Sequence, residues 1–209
     1  MKIINHNSPF QWIEIIDAFD KNEVEDIINE FETYRKQNCF KTPSETNSAT
    51  YTDANGTTIL KQNSGIFLED LVEDGRLTNI EDSVSWKYHE KIYDVIKNSP
   101  LWYFNKSPFN RTNELISYYE SGDNYKPHFD SAQITTLSWF CKEPKKFIGG
   151  DLIFNQDDIK VPFENNKVVI FPSFMFHQVE PVSIENGYEG KGFGRYVFTQ
   201  FLENVLYVP

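Results

Sequence analysis

The sequence predicts a mostly β (α+β) fold, a sandwich or barrel of the jelly-roll kind with helices supporting it on the N-terminal side. Beyond Pro100, short strand-like segments follow one another with turn signals between them and no helical pattern. Aromatic residues make up 16% of the chain, which favours β-rich packing. A length of 209 residues suits one domain, with helical support in residues 1–100 and the β core in residues 101–209.

The N-terminal part predicts one strand and two helices. Residues 12–19 alternate between apolar and polar, as a short strand does. Asp20 and Glu23 have the spacing of a capping box, which starts a helix over residues 21–35. A second helix is predicted over residues 83–97, where apolar residues recur at helical spacing before a proline ends the pattern.

Residues 41–64 lie between these helices and are rich in Thr, Ser, Asn and Gly. This composition predicts a loop. Its length is enough for a lid over a site, and a plain surface loop is the alternative.

The β core is predicted to contain seven strands. Glycine pairs and Asn- or Asp-containing turns separate them. Their ranges are 101–105, 114–119, 134–141, 151–155, 167–171, 177–182 and 195–202.

Composition also limits the partners. A formal net charge of −11 repels phosphate backbones, so we expect no nucleic-acid partner. No apolar run is long enough to span a bilayer, so we expect no membrane span. Cys39 and Cys141 form no zinc-type pair and no signal sequence is evident, which indicates a cytoplasmic protein with reduced thiols. The oligomeric state is left open.

Three residues are candidate metal ligands. His128 and Asp130 are two positions apart after a predicted strand, so in an extended chain their side chains share a face. His177 follows an apolar strand and a Pro-Ser turn. Two imidazoles and one carboxylate leave three positions of an octahedral ion open, the arrangement of non-haem Fe(II) oxygenases. We assign His6 to a disordered or edge segment, and His89 to a surface or packing role in the second helix.

A chelating 2-oxo acid would complete such a site, and its distal carboxylate needs a cation. Arg195 opens the last predicted strand, where alternation puts Arg195, Val197, Thr199 and Phe201 on one face. An arginine there can bind a carboxylate in a bidentate fork. An ordinary arginine at a strand end is the alternative.

These motifs together resemble the Fe(II)- and 2-oxoglutarate-dependent oxygenases, in particular their prolyl 4-hydroxylase-like branch. The pattern Tyr119-x-x-Gly122-x-x-Tyr125-x-x-His128-x-Asp130 matches the signature of that branch position by position. Further similar segments are the strand and capped helix at residues 19–28, the Gly-Gly strand at 147–154, the Phe-Pro-Ser segment at 171–182 and the closing Gly194-Arg195-Tyr196. The Phe-Pro-Ser segment is closest to PKHD-type bacterial and phage members.

The resemblance implies a double-stranded β-helix with Fe(II) bound by His128, Asp130 and His177. It also implies 2-oxoglutarate and O2 as cosubstrates, and ascorbate as a further cofactor. Tyr119 would line the 2-oxoglutarate pocket, Arg195 would bind the distal carboxylate, and Thr199 is a further pocket residue. Tyr125 could be a pocket residue or a core residue.

The sequence departs from the family in two places. Arg195 follows His177 at a greater distance than the corresponding cation of most relatives, across a glycine-rich loop that contains the competitor Lys191. Some relatives have a tyrosine hydroxyl on the strand after His-x-Asp. Here that strand begins with Thr135 and has no tyrosine, so a Thr or Ser is the available hydroxyl.

The reaction implied is hydroxylation of a C–H bond, with release of succinate and CO2. A peptidyl residue such as proline is the expected substrate, and a free amino acid or another small molecule is the alternative. Nucleic-acid demethylation is disfavoured, because enzymes of that type have a second arginine where this chain has Phe201. A metal-containing β-barrel binding module is the non-enzymatic alternative.

Overall fold

The computed structural model of the chain describes residues 1–46, 50–53 and 56–205. The strands are β1 (Lys2–His6), β2 (Trp12–Ile16), β3 (Thr50–Asp53), β4 (Gly56–Ile59), β5 (Ser64–Phe67), β6 (Arg111–Tyr119), β7 (Tyr125–His128), β8 (Ile134–Phe140), β9 (Phe147–Gly149), β10 (Leu152–Phe154), β11 (Ile159–Val161), β12 (Lys167–Pro172), β13 (His177–Val179), β14 (Val182–Ile184) and β15 (Arg195–Glu203). The helices are α1 (Lys21–Lys36), α2 (Pro43–Thr46), α3 (Leu68–Glu73), α4 (Val84–Lys97) and α5 (Trp102–Lys106), with a 3₁₀ turn at Ile80–Asp82.

Two antiparallel sheets form the β core. The larger has seven strands in the order β1-β2-β12-β8-β15-β6-β5, and the smaller has the order β11-β10-β13-β7. One apolar cluster, which includes Leu137, Trp139, Phe154 and Phe171, joins the two sheets. A second cluster packs the helices against the larger sheet. This is the predicted jelly roll with supporting helices, and the fold-class prediction is confirmed.

Helix α1 begins as the sequence predicts. The Asp20 carboxylate accepts hydrogen bonds from the backbone N–H groups of Asn22 and Glu23, and the Glu23 carboxylate accepts one from the backbone N–H of Asp20. This reciprocal capping satisfies donors that a helix start leaves free.

Glu32, on the buried side of α1, links the helix to the β core. Its carboxylate accepts hydrogen bonds from Arg35, from Lys142 and from the Tyr196 hydroxyl on β15. Burial alone would raise the pKa of Glu32, but these three donors outweigh it and lower the pKa to about 2. One ionised carboxylate, that of Glu32, therefore joins α1 to β15.

Residues 101–105, predicted as a strand, are instead part of α5. Leu101 and Phe104 are buried while Trp102 is 66% exposed, a three-residue spacing that fits one face of a helical turn. The apolar run was too short to distinguish the two-residue period of a strand from the period of a helix.

The loop predicted over residues 41–64 is also wrong, because the described part of it contains α2, the hairpin β3–β4 and the start of β5. Its threonines, which we assigned to a loop, are β-branched residues that favour strands. Residues 47–49 and 54–55 lie outside the described residues, and the lid role stays a prediction.

Two smaller differences concern the strands. The predicted strand 177–182 is divided into β13 and β14, which pair in different sheets. The chain also begins with β1 at the edge of the large sheet, beside β2, so strands as well as helices precede residue 100.

The histidines outside the site have structural roles. His89 is fully buried, and its Nδ1 donates to the Ser85 carbonyl while its Nε2 accepts from the Ser138 hydroxyl. His6 lies on the edge strand beside Glu14.

Cys39 and Cys141 are buried and unpaired. Among the described residues, none of the helices combines the length and the hydrophobicity that a bilayer crossing requires.

Candidate active site

The smaller sheet brings His128, Asp130 and His177 together. His128 ends β7 and His177 begins β13, and the antiparallel register places the two residues opposite each other with ring centroids 4.2 Å apart. Asp130 follows β7, and its backbone N–H donates to the Ser173 carbonyl at 2.9 Å. One ligand atom from each residue lies within 4.8 Å of the others, a group that can hold one metal ion.

Both imidazoles are oriented by the backbone. Nδ1 of His128 donates to the Lys126 carbonyl at 2.8 Å, and Nδ1 of His177 donates to the Met175 carbonyl at 2.8 Å. A carbonyl only accepts, so each Nδ1 carries a proton, and Nε2 is the ring nitrogen left to bind a metal. Each Nε2 lies 3.6 Å from a different oxygen of Asp130.

The His128 ring is neutral and held in place. Burial and the neighbouring His177 lower the pKa of His128 to about 3. The Tyr125 ring stacks on it, with centroids 3.5 Å apart and an interplanar angle of 12°. Tyr125 also lines the cavity beside the triad, so the structure places it in the pocket.

Thr135 holds the carboxylate of Asp130. Its hydroxyl donates to Oδ2 at 2.7 Å and lies 2.8 Å from the hydroxyl of Ser173. Burial raises the pKa of Asp130, and His177 and the Thr135 hydrogen bond oppose that rise. The hydroxyl on the strand after His-x-Asp is therefore a threonine directed at the carboxylate of Asp130.

A cavity of about 350 Å³ lies beside the triad. One wall is a face of the β6–β15 pair, in which Arg195 is opposite Tyr119 and Thr199 is opposite Leu115. Val197 and Phe201 lie on the same face, so the alternation predicted for β15 holds along the cavity. All the residues that we predicted for the site line this one cavity.

Arg195 is a buried cation that forms no ion pair within 4.0 Å with any of the described residues. It is 1% exposed, and its Nε and Nη2 have no hydrogen-bond partner among the described residues. The guanidinium carbon lies 4.8 Å from the centroid of the Tyr119 ring and 5.3 Å from that of Trp139. Burial lowers the pKa of Arg195 to about 10, although Tyr119 and Asp151 favour the charged form.

Gly150 makes room for this arginine. A Cβ on Gly150 would lie 2.8 Å from Cδ of Arg195, and the backbone there has φ +74°, which favours glycine. The competitor Lys191 is exposed, and its Nζ donates to the Gly187 carbonyl at 2.6 Å. Lys191 does not line the cavity.

Lys61 is a second buried cation in the cavity, and it was not among the predicted site residues. Its segment extends the smaller sheet, because Lys126 donates its backbone N–H to Leu60 and Gln62 donates to Asn124. Lys61 is 6% exposed. Burial lowers the pKa of Lys61 to about 8, against the opposing effect of Asp130. No pattern in the sequence marks this lysine, because it lies in a stretch with the composition of a loop.

These residues fit Fe(II) and 2-oxoglutarate. Two imidazoles and a carboxylate could hold an ion from one side as a facial triad, and the cavity beside them has room for further ligands. The unpaired N–H groups of Arg195 suit a carboxylate.

A family model described as the 2OG-Fe(II) oxygenase superfamily matches residues 114–203. A PKHD-type hydroxylase of Gloeothece citriformis is 32% identical over 79 residues, an alignment covering 33% of this chain and 36% of that protein. The match thus spans about a third of the length of that curated relative.

Solved structures share the fold. A prolyl-4-hydroxylase of Pseudomonas putida has a TM-score of 0.63 at 13% identity, with 93% of each chain covered. A prolyl hydroxylase from Trichoplax adhaerens, in complex with a hypoxia inducible factor peptide fragment, has a TM-score of 0.62 at 12% identity, covering 92% of this chain and 83% of that one. The viral collagen prolyl hydroxylase of Paramecium Bursaria Chlorella virus-1 has a TM-score of 0.57 at 12% identity, covering 93% and 96%.

Proposed function

We propose that the chain is an Fe(II)- and 2-oxoglutarate-dependent hydroxylase, since the 2OG-Fe(II) oxygenase superfamily model matches residues 114–203, which contain the His128, Asp130 and His177 cluster. In this reaction a C–H bond, 2-oxoglutarate and O2 give a C–OH group, succinate and CO2. One oxygen atom enters the product and the other enters succinate. The bound Fe(II) supplies the activation of O2, and the residues below provide binding and orientation.

His128, Asp130 and His177 would bind Fe(II), through Nε2 of each imidazole and an oxygen of the carboxylate. Thr135 would keep the carboxylate turned toward the ion. Arg195 would bind the distal carboxylate of 2-oxoglutarate, with the Tyr119 ring against its guanidinium. Thr199 would contribute a hydroxyl to the same wall.

The observation that carries this proposal is the buried guanidinium of Arg195 in the same cavity as the triad, with Nε and Nη2 free of hydrogen-bond partners among the described residues. Burying a charge without a partner is costly, so its retention is best accounted for by an anionic ligand. A metal-containing binding module, the non-enzymatic alternative, would need no such cation beside its metal.

A peptidyl residue such as proline is the substrate class that we propose first. Its support is the likeness in fold to prolyl hydroxylases, one of them in complex with a peptide fragment. The hairpin β3–β4 ends two residues before the cavity-lining Lys61, which makes it a candidate to contact a bound peptide. A free amino acid or another small molecule is the second candidate, favoured by Lys61 itself.

Other parts of the proposal rest on the sequence. The net charge of −11 and Phe201 in the cavity wall disfavour nucleic acid as a substrate. Use of ascorbate and a cytoplasmic location stay predictions.

The test starts without oxygen. Protein, Fe(II) and 2-oxoglutarate should give a visible charge-transfer band, and admission of O2 with a panel of peptides and amino acids should give succinate and a product heavier by one oxygen. Asp130→Ala should abolish the band and succinate formation, whereas His6→Gln, outside the cavity, should keep both. A full band and full turnover in Asp130→Ala would contradict the proposal.

A further inference from the structure

We propose that Lys61 is a specificity-determining residue that binds a carboxylate of the substrate next to the metal site. The inference rests on the proposed function, because it assigns a substrate class to the same cavity. The chemistry recognised is an anionic group close to the carbon that is hydroxylated.

The backbone directs Lys61 into the cavity. Lys61 forms an antiparallel bridge with Tyr125, and residues opposite each other in such a pair project from the same face. Tyr125 stacks on the ligand His128, so the face that the two residues share is the one with the triad. Lys61 lines the cavity, as this pairing requires.

A glycine makes room for the ammonium group. A Cβ on Gly65 would lie 3.3 Å from Nζ of Lys61 and 3.1 Å from both Leu115 Cδ1 and the Ile116 carbonyl oxygen. A side chain at residue 65 would therefore crowd Lys61 from the β5 side. The arrangement parallels Gly150 beside Arg195, so each buried cation of the cavity lies against a glycine.

Lys61 has no counterion among the described residues. Asp130 is the charged group that acts on Lys61, and its two oxygens face His128 and His177, with no ion pair to Lys61 within 4.0 Å. Lys167, another buried lysine, is instead paired with Glu14 at 3.1 Å and Glu164 at 2.6 Å. A buried ammonium without a partner is unfavourable, which points to a ligand that completes the pair.

The charges of the site also favour an anion at this position. Fe(II), Asp130, a 2-oxoglutarate dianion and Arg195 together are neutral, which leaves the charge of Lys61 unbalanced. The other carboxylate in the cavity wall, Glu203, lies 3.9 Å from Arg111. A substrate carboxylate would neutralise the loaded site.

Lys61 and Arg195 occupy different parts of the cavity. The charged and titratable neighbours of Lys61 are Asp130 and His128, whereas those of Arg195 are Tyr119 and Asp151. Lys61 is thus on the side of the metal ligands, and Arg195 remains the cation for the distal carboxylate of 2-oxoglutarate.

The carboxylate could belong to a free or C-terminal amino acid, or to an acidic side chain next to the target residue. Both sources offer the same group to the lysine, and matched probes separate them. The first is represented by a set of N-acetyl amino acids, each with its amide. The second is represented by N-acetyl-glutamyl dipeptide amides and their glutaminyl counterparts.

The experiment measures binding of each probe to the anaerobic protein loaded with Fe(II) and 2-oxoglutarate, from the shift of the visible band. We expect at least one acid to bind tenfold or more tightly than its amide. In Lys61→Met this preference should fall below about twofold, and Lys61→Arg should retain most of it. The control Lys106→Met removes an exposed lysine of α5 outside this cavity and should behave as the unmodified protein. The dissociation constant of 2-oxoglutarate should be unchanged in all three variants.

Equal binding of acids and amides, or no binding by any probe, would overturn the inference. The proposed function would still stand in that case if the protein with Fe(II) and 2-oxoglutarate gave its visible band. Weaker 2-oxoglutarate binding in Lys61→Met would also overturn it, by assigning the lysine to the cosubstrate. Absence of the band in the unmodified protein would instead refute the proposed function, and the inference with it.

Discussion

Replacing Arg195 with methionine tests whether its buried guanidinium binds 2-oxoglutarate. Methionine preserves most of the stem that packs against Gly150 and removes the charge. Burial lowers the pKa of Arg195 from 12.5 to about 10. A shift of this size corresponds to roughly 3 kcal/mol of lost solvation, which a bound carboxylate can offset through the free Nε and Nη2.

Loss of roughly 3 kcal/mol of binding free energy weakens an equilibrium by about 100- to 200-fold. Arg195→Met should therefore raise the dissociation constant of 2-oxoglutarate by about that factor, measured by titrating the anaerobic Fe(II) protein and following the visible band. Its melting temperature should not fall, because the variant removes an unpaired buried charge. A change below fivefold would refute the reasoning. Lys191→Met is the matched control and should change the constant less than twofold, and the reverse result would transfer the role to Lys191.

Three further predictions concern the support of the site. Thr135→Val removes the hydrogen bond to Asp130 and should weaken Fe(II) binding by about tenfold to a hundredfold, so an unchanged metal titration would contradict this role. Gly150→Ala would press on the stem of Arg195 and should weaken 2-oxoglutarate binding at least about tenfold, by the same titration. Glu32 has a folded-state pKa of about 2, below its usual 4.5, so it contributes roughly 3 kcal/mol to the free energy of unfolding above pH 4.5. That contribution should be lost as the pH falls through 4.5 toward 2, and Glu32→Gln should lack this part of the acid dependence in urea unfolding curves.

Local patterns were enough to predict the fold class and the common face of two candidate metal ligands. His128 and Asp130 are two positions apart in the sequence, and strand alternation predicts their common face. The assignment of His177 to the same site was harder, because no local sequence pattern shows that β13 pairs with β7. Its assignment depended on the whole order of motifs, and the register of the smaller sheet places it opposite His128.

Features that depend on distant contacts were missed. The run at residues 101–104 fits a strand and a helical turn equally well, and packing selects α5. Lys61 becomes buried only because residues 60–62 join the edge of β7, an association between segments far apart in the chain. The burial of Glu32 likewise follows from its contact with Tyr196 on the last strand. Such tertiary contacts leave no periodic signal in the sequence.

The two cations of the cavity, Arg195 and Lys61, lie inside a protein whose formal net charge is −11. At long range this surface repels a dianion such as 2-oxoglutarate, and attraction begins only inside the cavity. Screening acts mainly beyond about 8–10 Å, so added salt weakens the outer repulsion more than the enclosed contacts. The association rate of 2-oxoglutarate should therefore increase with ionic strength, opposite to the trend of enzymes that attract their substrates electrostatically. Entry to the site, rather than retention within it, is the step that salt would control.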